Sequence, residues 1–498
     1  MADTPHSPSA VDRREFLQTS AAAGLSALAG RTPTTPARPP NFLILVGEGV
    51  RPDEFSLNGN SIIQTPHLDR IGQQGANVRN MFAINALCAP SRATILTGLY
   101  SHTTGVIDNR SREVPPGIPL VTDRLHRAGY TIACCGKAHS RHGLRHRHWD
   151  YYFGFLGAMT DYFHPRIAEG RHGQVGPDRI YDGYVDDVVT EHAARWLEQQ
   201  QGPRPFCMVF MYQAPHAPFY RARRNLDLYN GVPIPKPPTF DDDLRGYPGK
   251  PRAFANANNK IGTTILGNDD PRSLEELVKD HYAGVVANDQ NFARLWSALE
   301  HSGQLDNTVI LLTSDHGFFL GEWRFYDKRF MHEPSIRVPL LIRYPALIRP
   351  GTIITPMALN LDLAPTVLEL AGLTVPGYMQ GRSLLPLLRG QSVPNWRQDW
   401  LYEYYEYPGW EQVRPHRGVR TDRYKLIHYY LEPEEFELYD LANDPGELHN
   451  LYGQPAYSTL TAHLRNRIAE LRRETGDRFN YETPIGQIVP PPPGGCHV

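Results

Sequence analysis

The run NFLILVGEG, residues 41–49, decides the fold class of this chain of 498 residues. Its five consecutive apolar residues lead through a glycine directly to Glu48. An uninterrupted apolar run is typical of a strand that is buried on both faces, as in a parallel sheet. The run therefore predicts a buried parallel strand that presents Glu48 at its carboxyl end.

Three later segments repeat this pattern of an apolar strand followed by polar residues. YTIACCGKAH (130–139) ends at Lys137 and His139, FCMVFMYQAPHAPF (206–219) contains His216, and NTVILLTSDHG (307–317) ends at Asp315 and His316. Helical patterns separate these segments, at residues 65–76, 120–129, 185–200 and 273–303. The alternation indicates an α/β fold with a mostly parallel sheet flanked by helices, and functional residues beyond the carboxyl ends of its strands.

The pattern changes after about residue 390, where short aromatic segments alternate with turns at 400–407, 416–430 and 434–452. These segments are typical of an antiparallel sheet, and residues 458–476 follow as an amphipathic helix. We therefore expect a catalytic domain at 41–390 and a smaller α+β subdomain at 391–485. The proline- and glycine-rich residues 486–498 are predicted to be a disordered tail.

The first forty residues have the order of an export signal. Arg13 and Arg14 precede a weakly apolar, alanine-rich stretch and the proline-rich RTPTTPARPP (31–40). This order predicts a twin-arginine export signal and linker at 1–40, with the twin-arginine translocon as a partner and a periplasmic or secreted product. The apolar stretch is too short to cross a bilayer, so no stable membrane span is expected.

Charge and cysteine content argue against two classes of protein. The 51 Lys and Arg residues against 53 Asp and Glu give no reason to expect a nucleic-acid partner. The five cysteines are irregularly spaced and form no CxxC pair, which argues against a disulfide framework and a structural zinc site.

Cys88 opens the segment LCAPSRATILTGLYSHTTGV, residues 87–106. Pro90 suits a first helical turn, so Cys88 is expected at a helix N-terminus, where the dipole and free N–H groups favour an anion, with Arg92 nearby. An isolated cysteine is more often a small buried hydrophobe, and a thiolate nucleophile is the other alternative. Neither explains the acidic residues at the other strand ends, which together with an anion site indicate a metal.

The motif Cys-x-Pro-Ser-Arg at 88–92 resembles the maturation motif of the type I sulfatases of the alkaline phosphatase superfamily. The segments GKAH (136–139), APHAPF (214–219), SDHGFFLGEW (314–323) and ELYDLANDPGELHNL (437–451) extend the resemblance over most of the chain. In this family the cysteine is oxidised to formylglycine by a formylglycine-generating enzyme. The resemblance implies an alkaline-phosphatase-like fold and a sulfuric ester hydrolase that acts through the hydrated aldehyde.

The resemblance also implies catalytic roles for residues outside the motif. Arg92 and Lys137 would hold the hydrated aldehyde formed from Cys88, and His139 would transfer its proton. His216 and Lys328 would bind the sulfate and assist the leaving oxygen.

The metal implied by the resemblance is one calcium ion, held by Glu48, Cys88, Asp315 and His316. Relatives carry Asp-Asp or Asp-Gln where this chain has Glu48 and Gly49, so one side-chain ligand is missing. That change leaves room for water, a weaker or different cation, or lost activity, and we expect an altered but working site. Asn85 is a candidate extra ligand or a structural amide, whereas Asp53 has the pattern of a capping or surface residue.

The segment 404–445 resembles the sulfatases that act on 6-O-sulfated N-acetylglucosamine of mucin or heparan-type glycans, which predicts a sulfated sugar as substrate. His416 and Arg417 are the predicted sugar ligands, with a salt-bridged or solvated turn as the alternative. Tyr404, Tyr407 and Trp410 have the residue type for stacking on a sugar, or they belong to the core. The other hypotheses are a phosphate or phosphonate monoester hydrolase on the same scaffold and a non-catalytic glycan-binding relative with an impaired metal site.

Overall fold

The strand β1, Asn41–Gly47, is the predicted buried strand and lies at the centre of the large sheet. It is seen in a computed structural model that describes residues 38–110, 113–140, 142, 144–240, 244, 249–261, 273–409 and 411–479. All seven residues of β1 are buried, and it pairs in parallel with a strand on each side, β8 (Phe206–Met211) and β9 (Thr308–Ser314). Because the three strands run the same way, the residues that follow them meet at one edge.

The large sheet has ten strands in the order β13-β2-β12-β9-β1-β8-β4-β5-β6-β7. Its five central strands, from β9 to β5, are parallel as predicted, while antiparallel pairings join β12 and β6–β7 to this centre. The remaining strands of this sheet are β2 (Ala76–Val78), β4 (Thr131–Lys137), β5 (Tyr151–Phe155), β6 (Arg166–Arg171), β7 (Gln174–Ile180), β12 (Leu340–Arg343) and β13 (Thr352–Ile354). Two short sheets pair β3 (Met81–Phe82) with β14 (Ala358–Leu359), and β10 (Phe319–Leu320) with β11 (Tyr326–Asp327).

Helices cover the sheet where the 3.6-residue patterns predicted them. The described α-helices are α1 (Pro66–Gln73), α2 (Cys88–Thr97), α3 (Ser101–Thr104), α4 (Val121–Arg127), α5 (Val185–Glu198), α6 (Arg252–Ala255), α7 (Leu274–His301), α8 (Glu333–Ile336), α9 (Leu363–Leu370), α10 (Leu385–Leu388) and α11 (Ser458–Thr475). The longest, α7, begins with a capping box in which Ser273 Oγ accepts from the N–H of Glu276 and the Glu276 carboxylate accepts from the N–H of Ser273.

A second, antiparallel sheet follows residue 390, as the alternating aromatic segments predicted. Its strands are β15 (Asp399–Tyr404), β16 (His416–Thr421), β17 (Tyr424–Tyr429) and β18 (Glu435–Asp440). Helix α11 packs on it through Leu464, Ile468 and Leu471, which recur at helical spacing.

Several predictions fall on residues that are not described. Most of the export signal, the tail at 486–498, Trp410 and Cys496 lie outside the described residues. From Pro39 onward the chain groups into one compact unit, so the boundary at 390 stays a prediction. Among the described residues, no helix is both long and apolar enough to cross a membrane.

Gly136 is the position where the sheet leaves least room for a side chain. Its φ is +91°, and a Cβ there would overlap the carbonyl oxygen of Met211 on β8. Gly129 has the same left-handed φ, +92°, but nothing lies within 4 Å of its Cβ position. A substitution would therefore strain the backbone equally at the two glycines. They differ only in the room that each leaves for a side chain.

We expect Gly136→Ala to lower the thermal unfolding midpoint far more than Gly129→Ala. The control should cost about 1–2 kcal/mol from the left-handed backbone alone, whereas Gly136→Ala also has to push β4 away from β8 and displace Lys137. Differential scanning calorimetry of both variants measures the difference. Equal losses would show that the close approach of the two strands does not constrain residue 136.

Candidate active site

Cys88 lies at the N-terminus of α2, as its neighbour Pro90 predicted. Leu87 before it is extended, and all ten residues of the helix are buried. The free N–H of Ala89 donates to Asn109 Oδ1 at 3.0 Å, so a residue that the sequence did not single out satisfies one of the open donors of the helix end. The thiol thus sits at the positive end of a fully enclosed helix.

Glu48 joins Cys88 to two buried cations. Its Oε2 accepts from Lys137 Nζ at 2.6 Å and from Arg92 Nη2 at 2.8 Å, and its Oε1 lies 3.2 Å from Cys88 Sγ. Burial raises the pKa of this carboxyl, but the charges of Lys137, His216 and Arg92 and a hydrogen bond with His316 together offset that effect, and the pKa lies well below its usual value. Glu48 is therefore a carboxylate, as a metal ligand must be.

Arg92 connects the ends of three strands. Besides Glu48, its Nε donates to Asp315 Oδ2 at 2.9 Å and its Nη1 donates to the carbonyl oxygen of Lys137 at 2.7 Å. The guanidinium is 2% exposed, so these three partners replace water around it. Two carboxylates that would repel each other are thereby held on either side of one charge.

The four predicted metal ligands converge. The ligand atoms of Glu48, Cys88, Asp315 and His316 all lie within 4.8 Å of one another. His316 Nε2 is 3.3 Å from Cys88 Sγ, 3.5 Å from Glu48 Oε1 and 3.4 Å from Asp315 Oδ1. Its Nδ1 lies 2.8 Å from the carbonyl oxygen of Gly317, which can only accept, so Nδ1 carries the hydrogen and Nε2 faces the cluster. These residues can hold a metal ion.

Gly49 occupies the position of the missing ligand. Its φ is +66°, and a Cβ there would lie 3.0 Å from a ring carbon of Phe318 and 3.3 Å from Cε1 of His316. Its backbone N–H donates to Asp315 Oδ1 at 3.1 Å. The glycine therefore supplies a backbone donor that orients Asp315. The rings of Phe318 and His316 occupy the space that a side chain at position 49 would need.

Positive charge surrounds the thiol of Cys88. Burial opposes its ionisation, yet the charges of Lys328 and Lys137 hold the pKa of Cys88 well below its usual range. Lys328 Nζ is itself fixed by Asp327 Oδ1 at 2.9 Å, and its pKa is raised by that carboxylate although burial acts in the opposite direction. The group attached to the Cβ of residue 88 is thus surrounded by cations, which would stabilise a negative charge there.

Two histidines, the buried His139 and the half-buried His216, complete this group. We call it the Cys88 cluster and define it as the four metal-site residues with Arg92, Lys137, His139, His216 and Lys328. His139 has a φ of 45° and its pKa is lowered to about 4 by burial, partly offset by a hydrogen bond with Cys88. His216 Nδ1 is 2.7 Å from the carbonyl oxygen of Ala217, which leaves Nε2 to face Glu48 Oε1 at 3.9 Å. Burial lowers its pKa, which favours the neutral ring.

The segment that carries His216 is held by residues that the sequence did not reveal. Asp186, at the start of α5, accepts from the backbone N–H of Gln213 at 2.9 Å and of Ala214 at 2.8 Å, and Tyr162 Oη donates to the carbonyl oxygen of His216. Burial raises the pKa of Asp186 to about 7. An acidic residue in a first helical turn is common, so no local signal distinguishes this one.

The predicted sugar ligands are buried inside the C-terminal sheet. His416 is fully buried with its ring stacked on Tyr402, and burial lowers its pKa to about 4. Arg417 is buried with its guanidinium 4.0 Å from the Tyr430 ring centroid and 3.8 Å from Asp477 Oδ2. Neither position supports direct contact with a sugar, and the role of both residues stays a prediction.

The remaining candidates have mostly structural surroundings. Tyr404 is buried in the core, while Tyr407 is half-buried. Asn85 is buried with its Nδ2 donating to Ser101 Oγ at 3.2 Å, and its Oδ1 has no hydrogen-bond partner. Asp53 is exposed and paired with Arg51, as a surface residue would be.

Comparison with known proteins identifies the family. Residues 40–373 match the profile described as Sulfatase, and residues 321–474 match that described as N-sulphoglucosamine sulphohydrolase, C-terminal. The chain is 34% identical to the N-acetylglucosamine-6-O-sulfatase of Bacteroides thetaiotaomicron, over 88% of this chain and 87% of that protein. The choline-sulfatase of Rhizobium meliloti is 28% identical, with 88% of both chains covered.

Solved structures agree with this assignment. A protein solved in complex with its substrate, D-glucosamine-2-N,6-O-disulfate, superposes with a TM-score of 0.80 at 32% identity, covering 89% of this chain and 99% of that one. The phosphonate monoester hydrolase of Silicibacter pomeroyi has a TM-score of 0.74 at 22% identity, over 88% and 96%, and is alike in fold. The chain belongs to the sulfatase family, and it is a sulfuric ester hydrolase.

We expect Glu48→Gln to weaken divalent-cation binding at least about tenfold, because a hard cation loses one of its charged oxygen ligands. Glu48→Asp, which keeps the charge on a shorter stem, should retain more of the affinity. Isothermal titration calorimetry with Ca²⁺ and with Mn²⁺ measures both. Asp53→Asn is the control, since it removes an exposed carboxylate five residues away; unchanged affinity in Glu48→Gln would place the ion elsewhere.

Proposed function

We propose that this sulfatase hydrolyses sulfate esters of carbohydrates, with 6-O-sulfated N-acetylglucosamine as the substrate unit. The observation that carries the proposal is the 34% identity, over 88% of this chain, with an enzyme named for that sugar. The structural neighbour bound to a 6-O-sulfated glucosamine supports the same class.

Two groups complete the site in this proposal. Cys88, in the Cys-x-Pro-Ser-Arg motif, fits conversion to formylglycine, and its Sγ marks where an oxygen on the same Cβ would lie. Glu48, Asp315 and His316 fit a calcium ion, because their ligand atoms are close enough to share one cation. The aldehyde hydrate would supply the nucleophilic oxygen, and the calcium ion would polarise the sulfate.

The cations of the chain bind and orient the sulfate. Lys137 and Lys328 both lower the pKa of Cys88 by their charge, which supports a position for each near residue 88. Lys137 is anchored on Glu48 and Lys328 on Asp327, so neither has to reorganise when an anion enters. Fixed charges of this kind stabilise the charge that develops on the sulfate oxygens.

His216 is suited to protonate the departing sugar oxygen. The bond between Nδ1 and the Ala217 carbonyl fixes its tautomer, so Nε2 is the atom that gains and loses the working proton. Burial favours the neutral form of the free ring, and the arriving anion favours its protonated form. The same proposal includes maturation by a formylglycine-generating enzyme. It also includes export by the twin-arginine translocon to a periplasmic or secreted location.

The first test is sulfate release from N-acetylglucosamine-6-sulfate by protein whose Cys88 peptide has the mass of the aldehyde. We expect release that depends on Ca²⁺ and falls at least about a thousandfold in Cys88→Ala, which lacks the nucleophile. N-acetylglucosamine-6-phosphate is the matched alternative substrate. Faster phosphate release, or sugar binding without release by the converted protein, would contradict the proposal.

The roles of His216 and Lys328 are separated by the leaving group. His216→Ala should reduce release from the sugar sulfate by about 10²–10⁴-fold, and that from 4-nitrophenyl sulfate much less, because a nitrophenolate leaves without a proton. Lys328→Met removes charge stabilisation and should slow both substrates to a similar extent. Steady-state kcat/KM for both substrates measures this, and equal losses in His216→Ala would argue against an acid role.

A further inference from the structure

Three metal-ligating side chains meet at the opposite edge of the large sheet from the Cys88 cluster. His126 is in the last turn of α4, and His148 and Asp150 come just before β5. Their ligand atoms all lie within 4.8 Å of one another. Asp150 pairs with Ile132 near the start of β4, whereas Lys137 ends that strand, so roughly 15–20 Å separates the two sites.

The spacing of these side chains fits a shared cation better than direct hydrogen bonds. His148 Nε2 is 3.5 Å from Asp150 Oδ1, and His126 Nδ1 is 4.0 Å from Asp150 Oδ2. Hydrogen bonds to a carboxylate are shorter, about 2.7–3.2 Å. Two ligands of a tetrahedral Zn²⁺ ion, each about 2.0–2.2 Å from the metal, stand about 3.4 Å apart.

The two histidines lie side by side next to this carboxylate. Their rings stack with centroids 3.8 Å apart and an interplanar angle of 25°. His126 Nδ1 is buried and has no hydrogen-bond partner, which leaves its lone pair or hydrogen unused beside the carboxylate.

Asp150 is fixed in place before any ion binds. Its Oδ2 accepts from the N–H of Ile132 at 2.8 Å, and its own N–H donates to the carbonyl oxygen of Ile132 at the same distance. The neighbouring Trp149 is anchored by a 2.8 Å bond from Nε1 to the carbonyl oxygen of Leu144. These hydrogen bonds orient the Asp150 carboxylate before a metal ion binds, so its side chain has little conformational freedom left to lose on binding.

We propose that His126, His148 and Asp150 bind one divalent transition-metal ion of the zinc type, with water as the fourth ligand. A set with two imidazole nitrogens and one carboxylate suits Zn²⁺, whereas sites for Ca²⁺ and Mg²⁺ consist mostly of oxygen ligands. The ion would link the last turn of α4 to the residues that come just before β5. It acts on stability and takes no part in sulfate hydrolysis.

The test is titration of the calcium-loaded full-length protein with ZnCl₂, followed by calorimetry and by the thermal unfolding midpoint. Because the Cys88 cluster also offers zinc ligands, the readout is the difference between wild type and His148→Ala. We expect His148→Ala to bind one Zn²⁺ fewer and to lose the zinc-dependent rise in unfolding midpoint, with unchanged sulfatase activity. His148→Asp should restore binding in part, since a carboxylate also ligates zinc.

The matched control is His449→Ala, which removes an exposed histidine 3.7 Å from the carboxylate of Asp444. This variant should bind as many zinc ions as the wild type. Equal stoichiometry in wild type and His148→Ala overturns the proposal, and so does the same loss in His449→Ala. Unchanged circular dichroism and activity in His148→Ala exclude misfolding as the cause of a lost ion.

Discussion

The buried guanidinium of Arg92 is the contact on which the rest of the site depends. It bonds to Glu48 after β1, to Asp315 after β9 and to the backbone of Lys137 at the end of β4. An active site that gathers carboxylates around one point has to overcome their mutual repulsion inside a medium of low polarity. One planar cation with donors on three sides does this, and it also fixes the register in which three strand ends meet.

The sequence predicted the structure best where a run of apolar residues is enough to define an element. Apolar runs that end in Glu48, Lys137 and Asp315 define buried strands and their exits, because few other structures bury so many consecutive residues. The four predicted metal ligands accordingly meet in space. By contrast, Asp186 and Asn109 act through backbone groups of distant segments, and nothing in their own neighbourhood distinguishes them.

The C-terminal sheet shows why the sequence did not reveal the burial of His416 and Arg417. Strand β16 is covered on both sides, since Gly418 packs against Met331 and α11 lies across the same strand. Neighbours such as His416 and Arg417 therefore point to opposite faces that are both buried. Alternation along a strand indicates which residues share a face of the sheet. It does not indicate whether either face is exposed to solvent, and in this sheet both faces are buried.

The complete burial of helix α2 has a consequence for biosynthesis. If Cys88 is modified as proposed, the modifying enzyme would have to reach a thiol that is fully buried once the protein has folded. Folding and modification would then compete for each new chain, and a chain that folded first would stay unmodified until it unfolded. The fraction of active molecules would be set by the ratio of two rates, so slower folding would yield more enzyme from the same amount of protein.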